Sequence, residues 1–127
     1  MSEAFPNGLA ARCRRIINAF HYSMKGLNTV VRHEAAVQDE LLVLVPAVVL
    51  ALLLGDTGVE KALLIGSWVL VIIVELLNTA VESLTDRVGT EWHPLSGQVK
   101  DIGSGAVFVT MCLAAVVWLC VLLGGWV

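Results

Sequence analysis

Charge is scarce in this chain. Of 127 residues, only 15% are Asp, Glu, Lys or Arg, while 57% are hydrophobic. A soluble domain of this size needs more polar surface, so the balance excludes an ordinary soluble fold and argues for a membrane protein. Net positive charge is also missing: the formal value is −3, which excludes nucleic acid as an expected partner. Cysteine is limited to Cys13, Cys112 and Cys120, without metal-type spacing. They read as small apolar packing residues, not as a redox device. His21, His33 and His93 form no cluster, so zinc is not implied. The N-terminus is basic but no apolar run follows it for forty residues, so a signal peptide is not expected. No P-loop motif occurs.

Long uncharged runs take the place of charge. The stretch from Leu41 to Leu54 is apolar and extends back through polar Glu40, Asp39 and Gln38. Its fourteen residues fall short of the roughly 20 a span needs, so the first span is placed at 35–54. Pro46 lies inside it, and neighbouring helices can satisfy the carbonyl it frees. "GDTG", Gly55 to Gly58, reads as a tight turn. The second span is placed at 59–86 and the third at 101–125, within twenty-six residues that carry no charge, Ile102 to Val127. Residues 87–101, "RVGTEWHPLSGQVKD", read as a polar loop. Trp92 and Trp126 are expected at interfaces, and Trp68 and Trp118 inside the spans.

Basic residues set the orientation. Arg12, Arg14, Arg15, Lys25 and Arg32 precede the first span, Arg87 and Lys100 flank the second loop, and only Lys61 follows the first span. The positive-inside rule places the N-terminus and second loop in the cytoplasm and the C-terminus on the periplasmic side. Before the first span, Leu9, Cys13, Ile16, Phe20, Met24, Leu27 and Val31 recur at helical steps and fall within about 80° of one another. Arg14, His21, Lys25 and Arg32 take the other side. Residues 9–32 thus read as an amphipathic helix lying in the membrane surface. The expected fold is all-α, with this surface helix, three transmembrane helices and a single domain over 1–127.

Against this background "VELLNTAVESLTDR", Val74 to Arg87, is anomalous. Thirteen uncharged residues, Ala62 to Val74, lead straight into Glu75. With Glu75 at zero, Asn78 falls at about −60°, Thr79 at about 40°, Glu82 at about −20° and Asp86 at about 20°. One face is polar, while Leu76, Leu77, Val81 and Leu84 cover the other. A carboxylate at the bilayer centre costs about 2.5 to 3.5 kcal/mol on insertion scales. Glu75 lies roughly 21 Å past Lys61 at 1.5 Å per residue, several ångströms inside the cytoplasmic boundary.

Two explanations compete. Asn78 or Thr79 alone would fit hydrogen bonding between helices. Several acids on one stripe repel one another in low dielectric, so something positive must sit among them. Glu34 and Asp101 add acids at the same depth, and Lys100 is the nearby cation. Such a gathering suits a hard cation, Mg²⁺, with oxygen ligands. Intramembrane ionisable groups are functional by default.

The segments "YSMKGL", "HEAA", "VELLNTAVESLTDRVG" and "EWHPLSGQVKDIGSGAV", with the three-span layout, resemble the prokaryotic diacylglycerol kinase family. The likeness runs from Arg15 to Val107, and E-x-x-N-x-A-x-E-x-x-x-D is its most specific part. The resemblance implies a homotrimeric inner-membrane enzyme that moves the γ-phosphoryl of MgATP to the hydroxyl of diacylglycerol. Carried over, it implies Glu75 as general base, Glu34 and Glu82 as metal ligands, and Asn78 as the neutral positioning residue. Lys100 and Asp101, with Glu91, Trp92 and His93, are implied nucleotide contacts, as are Arg15 and Tyr22 on the surface helix. Arg15, Ser23, Gln38, Asp39, Glu40, Glu75 and Ser104 are implied contacts to the lipid. Gly103, Ser104 and Gly105 fit close helix packing equally well. The resemblance departs at Met24, where the family carries Trp, and at Gln38-Asp39, where it carries Arg-Gln.

Two other functions fit parts of the pattern. One is a kinase for another lipid alcohol, undecaprenol. The other is a small proton-coupled transporter using Glu75, which would need polar groups through both leaflets.

A final expectation concerns assembly. Three thin helices leave the Glu75 stripe facing lipid on one side, so a homo-oligomer is expected, with Lys100 and Asp101 supplied to the stripe by a neighbouring chain.

Overall fold

The computed structural model describes residues 8–124. Trp126 lies outside the described residues. Four helices follow one another: α1 Leu9–His33, α2 Ala35–Leu54, α3 Gly58–Val88 and α4 Pro94–Gly124. Residues 1–33 and 34–127 form two separate units.

The first unit is α1 alone. It buries none of its own residues, and Ile16, Phe20, Met24, Leu27 and Val31 of the expected apolar stripe are all exposed. Arg32 and His33 end the helix, where cations suit the carbonyl terminus.

The second unit is a three-helix assembly in which α3 packs against both α2 and α4. All three helices are long and apolar enough to cross a membrane. α2 begins at Glu34, whose backbone is extended, φ −105° and ψ 110°. Its side chain makes no capping hydrogen bond, so that carboxylate is not consumed by its own helix. Pro46 sits within α2 as expected. The turn at Gly55 works because glycine lacks Cβ: one there would come within 2.9 Å of the Ala51 carbonyl and of Lys61 Cγ. A capping box then starts α3. Thr57 Oγ1 accepts from the Glu60 amide at 3.2 Å, and Glu60 Oε2 accepts from the Thr57 amide at 3.1 Å.

The polar loop is shorter than the sequence implied. α4 starts at Pro94, seven residues before the expected 101, so Leu95 to Lys100 are helical. Proline at the first helical position has no amide to leave unpaired and its φ is already set. His93 Nδ1 accepts from the Leu95 amide at 3.2 Å and so supplies the cap. At 31 residues each, α3 and α4 are roughly 46 Å long, more than the hydrocarbon thickness. Their polar ends therefore project beyond it on one side.

Two tryptophans pin the helices together. Trp68 Nε1 donates to the Glu40 carbonyl at 3.0 Å, and Trp118 Nε1 donates to the Leu64 carbonyl at 3.1 Å. Both indoles are half-buried, as expected inside spans, while Trp92 is 87% exposed. Between them lies an apolar cavity of about 300 Å³, lined by Val43, Pro46, Leu50 and Met111 among others, and by no carboxylate.

Candidate active site in the membrane

The buried face of α3 reads Leu64, Ser67, Val71, Glu75, Asn78, Thr79. It is mostly apolar at its start and polar from Glu75 on, at steps of three or four up to Asn78, with Thr79 four past Glu75. The stripe inferred from the sequence is therefore the face that packs. Leu77 and Leu84, on the opposite side, are exposed.

Glu75 is 9% exposed and Glu40, from α2, only 5%. The two carboxylates lie within electrostatic reach of one another. The expectation that the stripe would face lipid is thus corrected at its deepest residue: one chain buries Glu75 between its own helices. Glu40 of α2 lies near it, and α4 meets the stripe one turn further on, where Gly103 faces the Asn78 side chain. Glu40 Oε2 has no hydrogen-bonding partner among the described residues. A buried acid without a partner is costly and marks a place where a ligand completes the bonding.

Asn78 connects the deep acids to the shallow ones. Its Nδ2 donates to Glu82 Oε1 at 3.2 Å, and its side chain also lies beside the Glu75 carboxylate. Its Oδ1 is buried without a partner. Glu82 is half-buried, and both Glu82 and Glu34 are within electrostatic reach of Glu75. At the far end, Lys100 Nζ donates to Asp86 Oδ1 at 2.5 Å, with side chains 40% and 61% exposed. The cation that the acidic stripe requires thus comes from α4 of the same chain. Within one chain, Lys100 already neutralises this end.

Among the described residues, no group of three or more His, Cys, Asp or Glu is arranged as a ready metal site. Glu34 and Glu82 nevertheless fit Mg²⁺ in its usual setting, held by one or two carboxylates together with substrate phosphates. Glu34 is free of capping duty, and the Asn78 amide holds Glu82 in orientation.

The other expected site residues are exposed. Gln38 and Asp39 are exposed, immediately before buried Glu40. Asp101 and Ser104 are exposed on α4, and Glu91, Trp92 and His93 are exposed between α3 and α4. Arg15, Tyr22 and Ser23 belong to α1, where Ser23 Oγ donates to the Ala19 carbonyl at 2.9 Å. Neither the partner of Asp86 nor the place of Glu40 beside the stripe was expected from the sequence. The signal for Glu40 was present: it lies three residues past Val37 and seven before Ala47, on the buried face of α2.

The family model described as prokaryotic diacylglycerol kinase matches residues 21–122. The chain is 46% identical over 109 residues to the diacylglycerol kinase of Escherichia coli (strain K12), covering 86% of this chain and 88% of that one. It is 44% identical over 111 residues to the diacylglycerol kinase of Pseudomonas aeruginosa, covering 87% and 90%. It is 43% identical over 103 residues to the Haemophilus influenzae diacylglycerol kinase, covering 81% and 87%.

Proposed function

The chain belongs to the prokaryotic diacylglycerol kinase family, and from that premise we propose that it phosphorylates diacylglycerol with ATP, giving phosphatidate. One observation carries the reading beyond the family. Glu40, Glu75 and Asn78 are buried together inside apolar helices, with unpartnered oxygens on Glu40 and Asn78, and the polar face continues outward to Lys100. A diacylglycerol stays in the bilayer and ATP stays in water. A kinase joining them needs a polar face that starts in water and ends in hydrocarbon, and this is such a face.

Phosphoryl transfer asks for positioning and charge neutralisation more than covalent help. Glu75 takes the proton of the lipid hydroxyl, and a carboxylate with few waters around it is a good acceptor. The hydroxyl oxygen then bonds to the γ-phosphorus as the bond to the β–γ bridging oxygen breaks, and ADP leaves. Lys100 exchanges Asp86 for phosphate oxygens. Asn78 holds Glu82 in place. Mg²⁺, when bound with the nucleotide, neutralises phosphate charge, and Glu34 and Glu82 would hold it. The nucleotide contacts of Arg15, Tyr22, Glu91, Trp92, His93 and Asp101 rest on the family resemblance alone. So do the lipid contacts of Arg15, Ser23, Gln38, Asp39, Glu40 and Ser104.

The chain resides in a bacterial inner membrane. α1 lies amphipathically on the cytoplasmic surface, the 89–93 connection faces the cytoplasm, and the end of α4 faces the periplasm. Seven basic residues on the one side against Lys61 on the other support this orientation. It works as a homotrimer: Asp101 and Ser104 are exposed on α4, and a further copy covers them.

The test is transfer from γ-labelled ATP in mixed micelles holding diacylglycerol, undecaprenol or neither. Label should appear in phosphatidate. Label mainly in undecaprenyl phosphate would reassign the substrate, and label in neither lipid would remove the kinase reading.

A further inference from the structure

Gly103 of α4 stands against the stripe at Asn78. A Cβ at this position would overlap Asn78 Oδ1 and approach Asn78 Cγ to 3.3 Å. Gly105, in the same small-residue run, has nothing within 4 Å. Two residues of helix turn it about 200° away. General helix packing through small side chains therefore does not account for both glycines. Gly103 alone abuts a polar side chain.

The side chain it abuts is constrained from the other end. Asn78 Nδ2 donates to Glu82 Oε1 at 3.2 Å, and Oδ1 is buried with no partner. One amide orientation satisfies this arrangement, with nitrogen toward the carboxylate and oxygen toward Gly103. The missing Cβ leaves the room for that oxygen. We propose that Gly103 is a positioning residue for the phosphoryl-transfer site: the bare Cα fixes the Asn78 amide, and the amide fixes the Glu82 carboxylate. This deepens the proposed function and rests on Asn78 and Glu82 belonging to the site.

The chemistry of the overlap makes the effect separable from folding. The atom a Cβ would meet is the end of a rotatable side chain, not backbone. Alanine is also the better helix former. Gly103→Ala should therefore leave the helices assembled and turn the Asn78 amide away from Glu82. Loss of a group that orients a ligating carboxylate typically costs about 10- to 100-fold in metal affinity or activity.

A double-mutant cycle and one spectroscopic signal test the proposal together. Turnover and Mg²⁺ dependence are measured for Gly103→Ala, Asn78→Ala and the double variant in micelles. The side-chain amide resonance of Asn78 is followed in ¹⁵N-labelled protein without nucleotide, assigned by its loss in Asn78→Ala. Gly103→Ala is expected to lower turnover at limiting Mg²⁺ by about tenfold and to move the amide resonance. In the Asn78→Ala background it should cost nothing further, because the group it acts through is gone. Losses that multiply would overturn the proposal and assign Gly103 to packing. So would an unmoved amide resonance, which remains readable if Asn78→Ala falls below detectable turnover. Full activity in Asn78→Ala, with the resonance still moved by Gly103→Ala, would instead remove Asn78 from the site while leaving the contact in place.

Discussion

Glu75 and Glu40 present an unusual arrangement at the residue scale: two acids, nine-tenths or more buried, on facing helices of one chain. Only Glu75 is asked to move a proton. Glu75→Gln keeps shape and hydrogen bonding but cannot accept that proton, so turnover should fall by at least about 10²-fold while MgATP affinity changes little. Near-normal turnover in this variant would exclude Glu75 as the base. Glu34 and Glu82 carry a different prediction. Glu34→Gln and Glu82→Gln each lose one anionic oxygen and should each raise the Mg²⁺ concentration needed for activity, with Mn²⁺ a partial substitute. A Mg²⁺ titration that neither substitution shifts would refute the ligand assignment.

At the scale of the helix, α3 is the frame on which the site hangs, and its ends are set by ordinary chemistry. Thr57 and Glu60 cap its start, far from the acids. Thr57→Ala should cost about 1 kcal/mol of stability and leave the turnover of folded protein unchanged, which reversible unfolding in mixed micelles would measure. The tryptophan pins act differently, because each ties α3 to a neighbour. Trp68→Phe removes the donor to the Glu40 carbonyl, and hydrogen bonds between membrane helices average about 0.6 kcal/mol. Its stability loss should be comparably small, but turnover should also fall, since α2 presents Glu40 from the turn that Trp68 holds. An unfolding shift without any change in turnover would mean that Glu40 does not depend on this pin.

For the molecule as a whole, the question is how much of the site one chain contains. The stripe, Glu40 and Lys100 meet within a single chain, whereas Asp101 and Ser104 are exposed on α4. Mixing two inactive proteins reads the division. Glu75→Ala and Asp101→Ala chains are unfolded together and allowed to reassociate at random. Restored activity means that Asp101 serves the stripe of a neighbour, since some mixed oligomers then hold one intact site. A mixture that stays inactive, with reassembly confirmed by cross-linking, means that each chain supplies Asp101 to its own stripe.

Periodicity and composition alone determined the all-α class, the three spans, the turn at Gly55 and the polar face through Glu75, Asn78, Glu82 and Asp86. These are local properties. A helix fixes the angle between residues three or four apart, and a bilayer fixes the length of an apolar run. α2 runs from Ala35 to Leu54, between a charge and a turn that both show in the sequence. The start of α4 does not show there, because Pro94 and His93 cap a helix within a segment whose polarity resembles a loop. The tertiary structure alone decided which groups meet across helices: Glu40 with Glu75, Asp86 with Lys100, and Gly103 with the Asn78 amide. Those meetings depend on the rotation and separation of packed helices. No spacing within one helix encodes that geometry, and it is set by the contacts of all three spans together.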